Sequence, residues 1–487
     1  MSLLFADGFD HVATADILKK WTSFTGSSMP INKTGGRRGG GMLTGPQSAT
    51  NLTKLLPGSY SSLIVGFAFN PTTAAVGGGG AVLALMEGGS EHIQVNFNST
   101  GQFTVYRGPG NGTLLGTASI SVGLNQFNYF EIKATIHDTT GSVEFRINGV
   151  TALNLVNQDT RNAGTGVVNA IRIGGINSFG PIWAMDDFYV CNTSGTTNND
   201  FLGDIRVDTL YPNADGAFSA WTPSAANGAH RYWRLYVDAV LGGTAIALTE
   251  LGLSLTSGGS TVTTGGTASA NSVSSGLAAN AFDGNSGTWW GTASSQVPGW
   301  IAYDFGVGVT KNIKGFSLTS QNNASYAQTA PTQFQLQFSD DGVVWTTLVV
   351  GSALVWNQNE TKMFSADLTG ATHSGMVNDP VPNLANYNYA LTPGLRDSYQ
   401  FQDLPSLVSP VVYGVQVNAA LLKDDAGNKQ VALFTRASGG ENTDGATFVL
   451  GTSQTYVSQI FEKNLNGTTD WTQASVNSSE FGAKIVV

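Results

Sequence analysis

The chain reads as all-β, built from three antiparallel β-sandwich (jelly-roll) domains, with the middle one inserted into the third. Three observations predict the β class. Apolar residues alternate with polar ones in short runs, and helical spacing is scarce. Turn residues separate the runs, and glycine alone supplies 61 of the 487 residues. Charged residues make up only 11%, against about 25% in ordinary soluble proteins, while 41% are hydrophobic, enough for packed cores.

Residues 1–200 form the first predicted domain. Ser62–Phe69, Ile93–Phe97, Phe103–Tyr106, Tyr129–Ile136 and Ser142–Ile147 alternate with period two, and Asn148-Gly149 marks a tight hairpin. Ala15–Trp21 is the only helical candidate in this half. Phe5-Ala-Asp-Gly-Phe9, the Asn148-Gly149 hairpin and the closing Met185-Asp-Asp-Phe-Tyr-Val190 together resemble the concanavalin A-like, or laminin-G-like, jelly-roll family. Adjacent residues of a strand face opposite sides, so Asp186 and Asp187 are expected to be structural or turn residues, not a paired-carboxylate site. The glycine loops at Gly35–Gly41 and Gly77–Gly80 lack the Lys-Ser/Thr of a phosphate loop. They read as surface loops, with Arg37 and Arg38 as candidate contacts to a neighbouring subunit.

The third domain is split, 201–228 plus 372–487. Its first part holds Phe201–Asn213 and Phe218–Pro223. Its second holds strands at Asp397–Asp403, Val411–Val417 and Gln430–Thr435, with Lys423–Lys429 expected as a hairpin between the last two. Thr472–Phe481 is a possible helical turn. Leu-Tyr-Pro-Asn213, Trp-Thr-Pro223, Val377-Asn-Asp-Pro-Val-Pro382, Lys423-Asp-Asp-Ala-Gly427 and Trp471–Asn477 resemble a recurring β-domain of tailed-phage virion proteins. That resemblance places residues 229–371 as an insertion at an exposed loop.

The inserted segment carries Asn280-Ala-Phe-Asp-Gly-Asn-Ser-Gly-Thr-Trp-Trp290. Asp283, Asn285 and Thr288 are oxygen donors in a flexible loop, the composition a hard cation such as Ca²⁺ takes. The same run also reads as an ordinary turn. Around it stand Arg231-Tyr-Trp-Arg-Leu-Tyr236, Leu248–Leu255, Gly299–Phe305 and Phe334–Trp345. Together these resemble discoidin, or coagulation-factor type C, domains and the galactose-binding-like family 32 carbohydrate-binding modules. Here the Arg-Tyr-x-Arg-Leu and glutamate strands precede the rest, so the domain looks circularly permuted. The resemblance implies a structural Ca²⁺ held by Asp283, Asn285, Thr288, Glu250 and the carbonyls of Asn280 and Thr249. It also implies glycan contacts from loops at the same end, with Trp290, Asn322, Asn323, Tyr326 and Trp356 as candidates. Trp289 and Trp300 are expected in the core.

The net charge of −10 and pI near 4.9 argue against nucleic acid, and no apolar run is long enough for a membrane span. The first twenty residues lack a secretory leader pattern, Cys191 is the only cysteine, and Asn-x-Thr triplets such as Asn466-Gly-Thr468 are no more than this composition produces. A virus particle fits glycan-binding domains made without a leader or a disulfide framework. No zinc-binding His pair, serine elbow or closely spaced acid run appears, so no enzyme is expected. The reading is a virion protein of a tailed phage, a tail-fibre or tail-tip component that forms a homo-oligomer, possibly a trimer, with other virion proteins and binds host cell-surface glycans. The alternatives are a capsid decoration or purely structural virion protein and, last, a polysaccharide depolymerase.

Overall fold

The computed structural model describes residues 2–46, 49–75, 79–175, 182–223, 228–352, 354–366, 372–379, 387–437, 442–464 and 468–487. Parts of four sequence readings lie outside these residues: Gly77–Gly78 of the glycine loop, 367–371 at the end of the middle domain, Pro380–Pro382 of the virion-like motif, and Asn466–Gly467. The fold is all-β, as expected, with antiparallel pairing throughout its named strands. Among the described residues no helix is long and apolar enough to cross a membrane. The chain divides into two compact units, one holding Met1–Trp221 with Ala390–Val487, the other holding Thr222–Val377.

The first unit begins with a sandwich. One sheet runs in the order Val150–Gln158, Gly141–Ile147, Asn128–Thr135, Ser62–Pro71, Trp183–Asn192, Met42–Gly45, Ile31–Asn32, and Leu3–Asp7 also pairs with Trp183–Asn192. The other runs Thr113–Ser121, Gln102–Arg107, Ser90–Phe97, Gly80–Glu87, Val168–Gly174, Asn51–Tyr60, Ser23–Thr25. Phenylalanines bind the two together. Phe103 meets Phe130 of the opposite sheet at 4.6 Å between ring centroids and Phe69 at 5.9 Å. All three are fully buried, and burying a side chain of this size contributes about 1.5–3 kcal/mol. Asn148 and Gly149 both take positive φ, the geometry a two-residue hairpin demands. The N-terminal helical candidate is a 3-10 helix, Thr14–Lys19.

Asp186 and Asp187 sit at an irregularity in Trp183–Asn192, where Asp187 has φ +50°. Asp186 accepts the Arg37 N–H and Asp187 accepts the Val207 N–H, both at 2.8 Å. Both carboxylates therefore hold loops, the structural role expected. Arg37 and Arg38 both reach Asp204 of the same chain, so an internal partner occupies the groups expected to face a neighbour.

The same unit contains a further, five-stranded sheet, in the order Pro212–Ser219, Arg396–Phe401, Glu480–Ile485, Gln430–Arg436, Asn442–Val449. Its first strand comes from before the second unit and its others from after. Lys423–Lys429 is not a hairpin. Val415–Leu421 pairs with Thr455–Phe461, whereas Gln430–Arg436 belongs to the larger sheet, so the segment crosses between sheets. The helical turn near the end is Gln473–Asn477, opened by a capping box at Thr472. Two side chains fasten this part to the edge strand Leu3–Asp7. The Gln416 amide both accepts from the Ala6 N–H and donates to the Ala6 carbonyl, each at 3.1 Å. Glu462 accepts from the Ser2 and Leu3 N–H groups.

The second unit is a sandwich of a five-stranded sheet (Thr267–Ala270, Gly299–Asp304, Tyr232–Val240, Pro331–Ser339, Thr346–Gly351) and a three-stranded one (Glu250–Ser254, Gly315–Thr319, Thr361–Ser365). Trp233, Leu235 and Val237 point inward at alternate positions to meet Leu251, Leu253, Ile301, Phe316 and Phe334. The early strand Tyr232–Val240 occupies the centre of the larger sheet, between Gly299–Asp304 and Pro331–Ser339.

Candidate functional site

The 3-10 helix Ala278–Phe282 stops at Asp283, and Gly284 follows with φ +71°, a conformation glycine adopts without penalty. The chain then curls around its own side chains. Asp283 Oδ1 accepts from the Asn285 N–H at 2.8 Å, and Asn285 Oδ1 accepts from the Gly287 N–H at 3.0 Å. Thr288 Oγ1 donates to Asp283 Oδ2 at 2.8 Å and lies 2.9 Å from the Asn285 carbonyl. The three residues picked from their spacing thus form one oxygen-rich loop.

Glu250 opens the strand Glu250–Ser254, opposite Thr319. Its carboxyl meets Asp283 and the N–H groups of Gly284 and Asn285. Burial, with the neighbouring Asp283 adding to it, pushes the Glu250 pKa up to about 7. Its Oε1 is buried without a hydrogen-bond partner. Two carboxyls held together, one with an orphaned oxygen, beside amide, hydroxyl and carbonyl oxygens are the donor set of a hard cation. The residues present therefore fit Ca²⁺. The acidic part of the site is this pair alone, since among the described residues no three His, Cys, Asp or Glu side chains converge. Thr249 is buried and its hydroxyl donates to the Ser320 carbonyl, which leaves its own carbonyl as its available donor. Asn280 lies on the 3-10 helix leading into the loop.

The expected sugar contacts divide. Trp290 is fully buried, in the strand Trp290–Gly291 opposite Leu248, and its indole N–H donates to the Ser272 carbonyl at 3.0 Å. Trp356 is 3% exposed and its N–H donates to the Pro331 carbonyl. Neither ring face is open to a ligand, which corrects both assignments. Asn322 is exposed, Asn323 and Tyr326 partly so. They follow Thr319 on the segment beginning at Ser320, beside Thr249, so they leave the sandwich at the Glu250 end. Asn323 Oδ1 accepts from the Ser325 N–H at 2.9 Å, which fixes the loop.

Two tryptophans expected in the core are not there. Trp289 is partly exposed, its N–H on Ser275 Oγ at 2.9 Å. Trp300 lies on the outer face of its strand, because Ile301 and Tyr303 take the inner one. The unbroken apolar run Trp300-Ile-Ala-Tyr303 carries no alternation that could have identified it.

Residues 265–373 match the F5/8 type C domain. The match begins after the strands Tyr232–Val240 and Glu250–Ser254, which nonetheless complete the two sheets of the same sandwich. No curated protein matches the chain. Among solved structures, domain 4 of AbnA, an extracellular GH43 arabinanase from Geobacillus stearothermophilus, is similar at 15% identity over 39% of this chain and 92% of that one, with a TM-score of 0.29. The alginate lyase Aly36B is similar at 13% identity over 39% and 96%, TM-score 0.29. The carbohydrate-binding module CBM66 from Bacillus subtilis is similar at 7% over 36% and 98%, TM-score 0.25. At these scores the likenesses assign no activity.

Proposed function

We propose that this chain is a non-catalytic glycan-binding protein whose second unit holds a structural Ca²⁺ and presents the adjoining loop to cell-surface sugars. The observation that carries the reading is the meeting of Glu250 with Asp283 in a loop of oxygen donors. Asp283, Asn285, Thr288 and Glu250 would supply side-chain oxygens, and Asn280 and Thr249 carbonyls. The ion would neutralise the paired carboxyls and tie the loop to the strand Glu250–Ser254. The amides of Asn322 and Asn323 and the ring of Tyr326, on the neighbouring segment, would contact sugar hydroxyls and a sugar face.

The setting we infer is the particle of a tailed phage, in its tail, where the chain meets other virion proteins as a homo-oligomer. The resemblance of 201–228 and 372–487 to virion β-domains supports this, and repetition of a weak site on a particle raises avidity. The test is a glycan array probed with the full chain, in Ca²⁺ and in EDTA, against the N323A/Y326A variant. Binding that falls with either change supports the reading. Absence of glycan binding under both conditions overturns it. Mass spectrometry of purified particles, together with sedimentation of the free chain, tests the setting and the oligomer.

A further inference from the structure

The five-stranded sheet of the second unit turns one face to the core, and its other face is partly covered, with Arg234, Tyr236, Trp300 and Trp345 half-buried. Along Tyr232–Val240 the inward residues are Trp233, Leu235 and Val237, so Arg234 and Tyr236 stand on the opposite face. Register sets their neighbours. Tyr236 lies between Trp300 and Gln335, and Arg234 between Ala302 and Gln337. Trp345, from the turn after Pro331–Ser339, folds over the same face, 4.2 Å from its ring centroid to the Arg234 guanidinium carbon. The Tyr236 and Trp300 rings flank that guanidinium at 5.5 and 5.9 Å.

The surface is held in place from within. Gln337 Nε2 donates to Gln335 Oε1 at 2.9 Å and to Thr347 Oγ1 at 3.0 Å, and Gln335 Nε2 donates to Asp238 at 3.2 Å. Arg234 spends only Nε on this network, on Gln337 Oε1 at 2.6 Å. Among the described residues its terminal amino groups and the indole N–H groups of Trp300 and Trp345 have no hydrogen-bond partner, and no carboxylate forms an ion pair with Arg234. Partial burial lowers the Arg234 pKa, the direction taken by a cation without a counter-charge. An outer sheet face needs none of this to fold, since polar β-formers would suffice.

We propose that this face is a second glycan platform, for an extended polysaccharide bearing carboxylate groups. The occupant follows from the chemistry. The aromatic rings offer flat apolar faces for pyranose rings, the indole N–H groups reach hydroxyls, and the uncompensated guanidinium calls for a carboxylate, which it can bind through two parallel hydrogen bonds. The platform is built from strand residues and needs no cation, so it does not rest on the loop reading.

The test uses the full chain in EDTA throughout, which silences the loop's ion. Affinity electrophoresis and tryptophan fluorescence are run with polygalacturonate and with its highly methyl-esterified form, the same backbone with its charge masked. The parent chain is expected to bind polygalacturonate and to bind the ester at least tenfold more weakly. Arg234→Gln, Trp345→Ala and Trp300→Ala are each expected to weaken polygalacturonate binding at least tenfold, with folding checked by circular dichroism. Should Trp300→Ala unfold, the other two, one a surface strand residue and one in a turn, carry the test. No binding by the parent chain, equal binding of the ester, or folded Arg234→Gln and Trp345→Ala variants within twofold of the parent each overturn the proposal.

Discussion

The carboxyls of Glu250 and Asp283 meet although one opens an edge strand and the other ends a 3-10 helix after two intervening strands. Burial, with Asp283 beside it adding to the effect, raises the Glu250 pKa from 4.5 to about 7, and the folded protein therefore binds a proton the unfolded chain has already released. Stability from this group is present below about pH 4.5 and is lost as pH rises toward 7. In EDTA, the midpoint of thermal unfolding should fall across that window more steeply for the parent than for Glu250→Gln. Millimolar Ca²⁺, which favours the charged form, should remove the difference. Parallel curves for the two proteins in EDTA would rule out the coupling.

Trp290 and the Asn323–Tyr326 segment should separate stability from binding. Trp290→Ala empties a fully buried site and is expected to cost about 3–5 kcal/mol. Urea denaturation measures it. Asn323→Ala with Tyr326→Ala, which removes a half-buried ring packed against the core and one loop hydrogen bond, should lower the urea midpoint far less than Trp290→Ala does while abolishing retention on a column of an uncharged glycan.

In the N-terminal sandwich, a Cβ at Gly66 would lie 2.0 Å from Cε1 of the Tyr189 ring. That ring cannot easily yield, because its hydroxyl donates to Glu131 at 2.6 Å and accepts from the Leu202 N–H. Gly66→Ala should therefore destabilise the chain by about 1–3 kcal/mol, and Gly66→Ala combined with Tyr189→Phe should not restore it, since the ring remains. A neutral result in denaturant would show that the strands shift apart to accommodate the methyl.

Gln416→Ala should free both backbone groups of Ala6, at about 1–3 kcal/mol for the unsatisfied pair. Hydrogen exchange would report it as faster exchange at Ala6, with protection of the central strands Ser62–Pro71 unchanged. Acceleration spread evenly over the sandwich would mean that Gln416 supports the whole fold instead of this one edge.

Much of the architecture could be read from short-range patterns, because alternation and turns are local. Asn148-Gly149 announces its hairpin through the φ values it must adopt. The Glu250–Asp283 pairing was legible only through resemblance, since nothing in spacing links residues on separate strands. The tryptophans show where reading stops. Trp289 and Trp290 are adjacent, and which one enters the core depends on a two-residue strand pairing with Leu248, too short to leave a pattern. Trp300 sits in a longer strand, yet Trp300-Ile-Ala-Tyr303 is apolar throughout, so its composition does not mark which face turns inward. Lys423–Lys429 has the composition of a hairpin, yet its flanking strands find partners elsewhere, a choice made by distant chain.

The split sheet of the first unit also sets a clock on synthesis. Phe218 accepts no lasting place until Ser398, 180 positions later, supplies the hydroxyl its N–H donates to. At about 5–20 residues per second, roughly 10–35 s pass between the emergence of the two. During that interval Pro212–Ser219 is an open strand edge with nothing to pair with, the condition that favours joining a neighbouring nascent chain. Folding of the intervening unit occupies the same interval, so mutations that slow it should appear as aggregation of the protein that contains it before they appear as loss of its own stability.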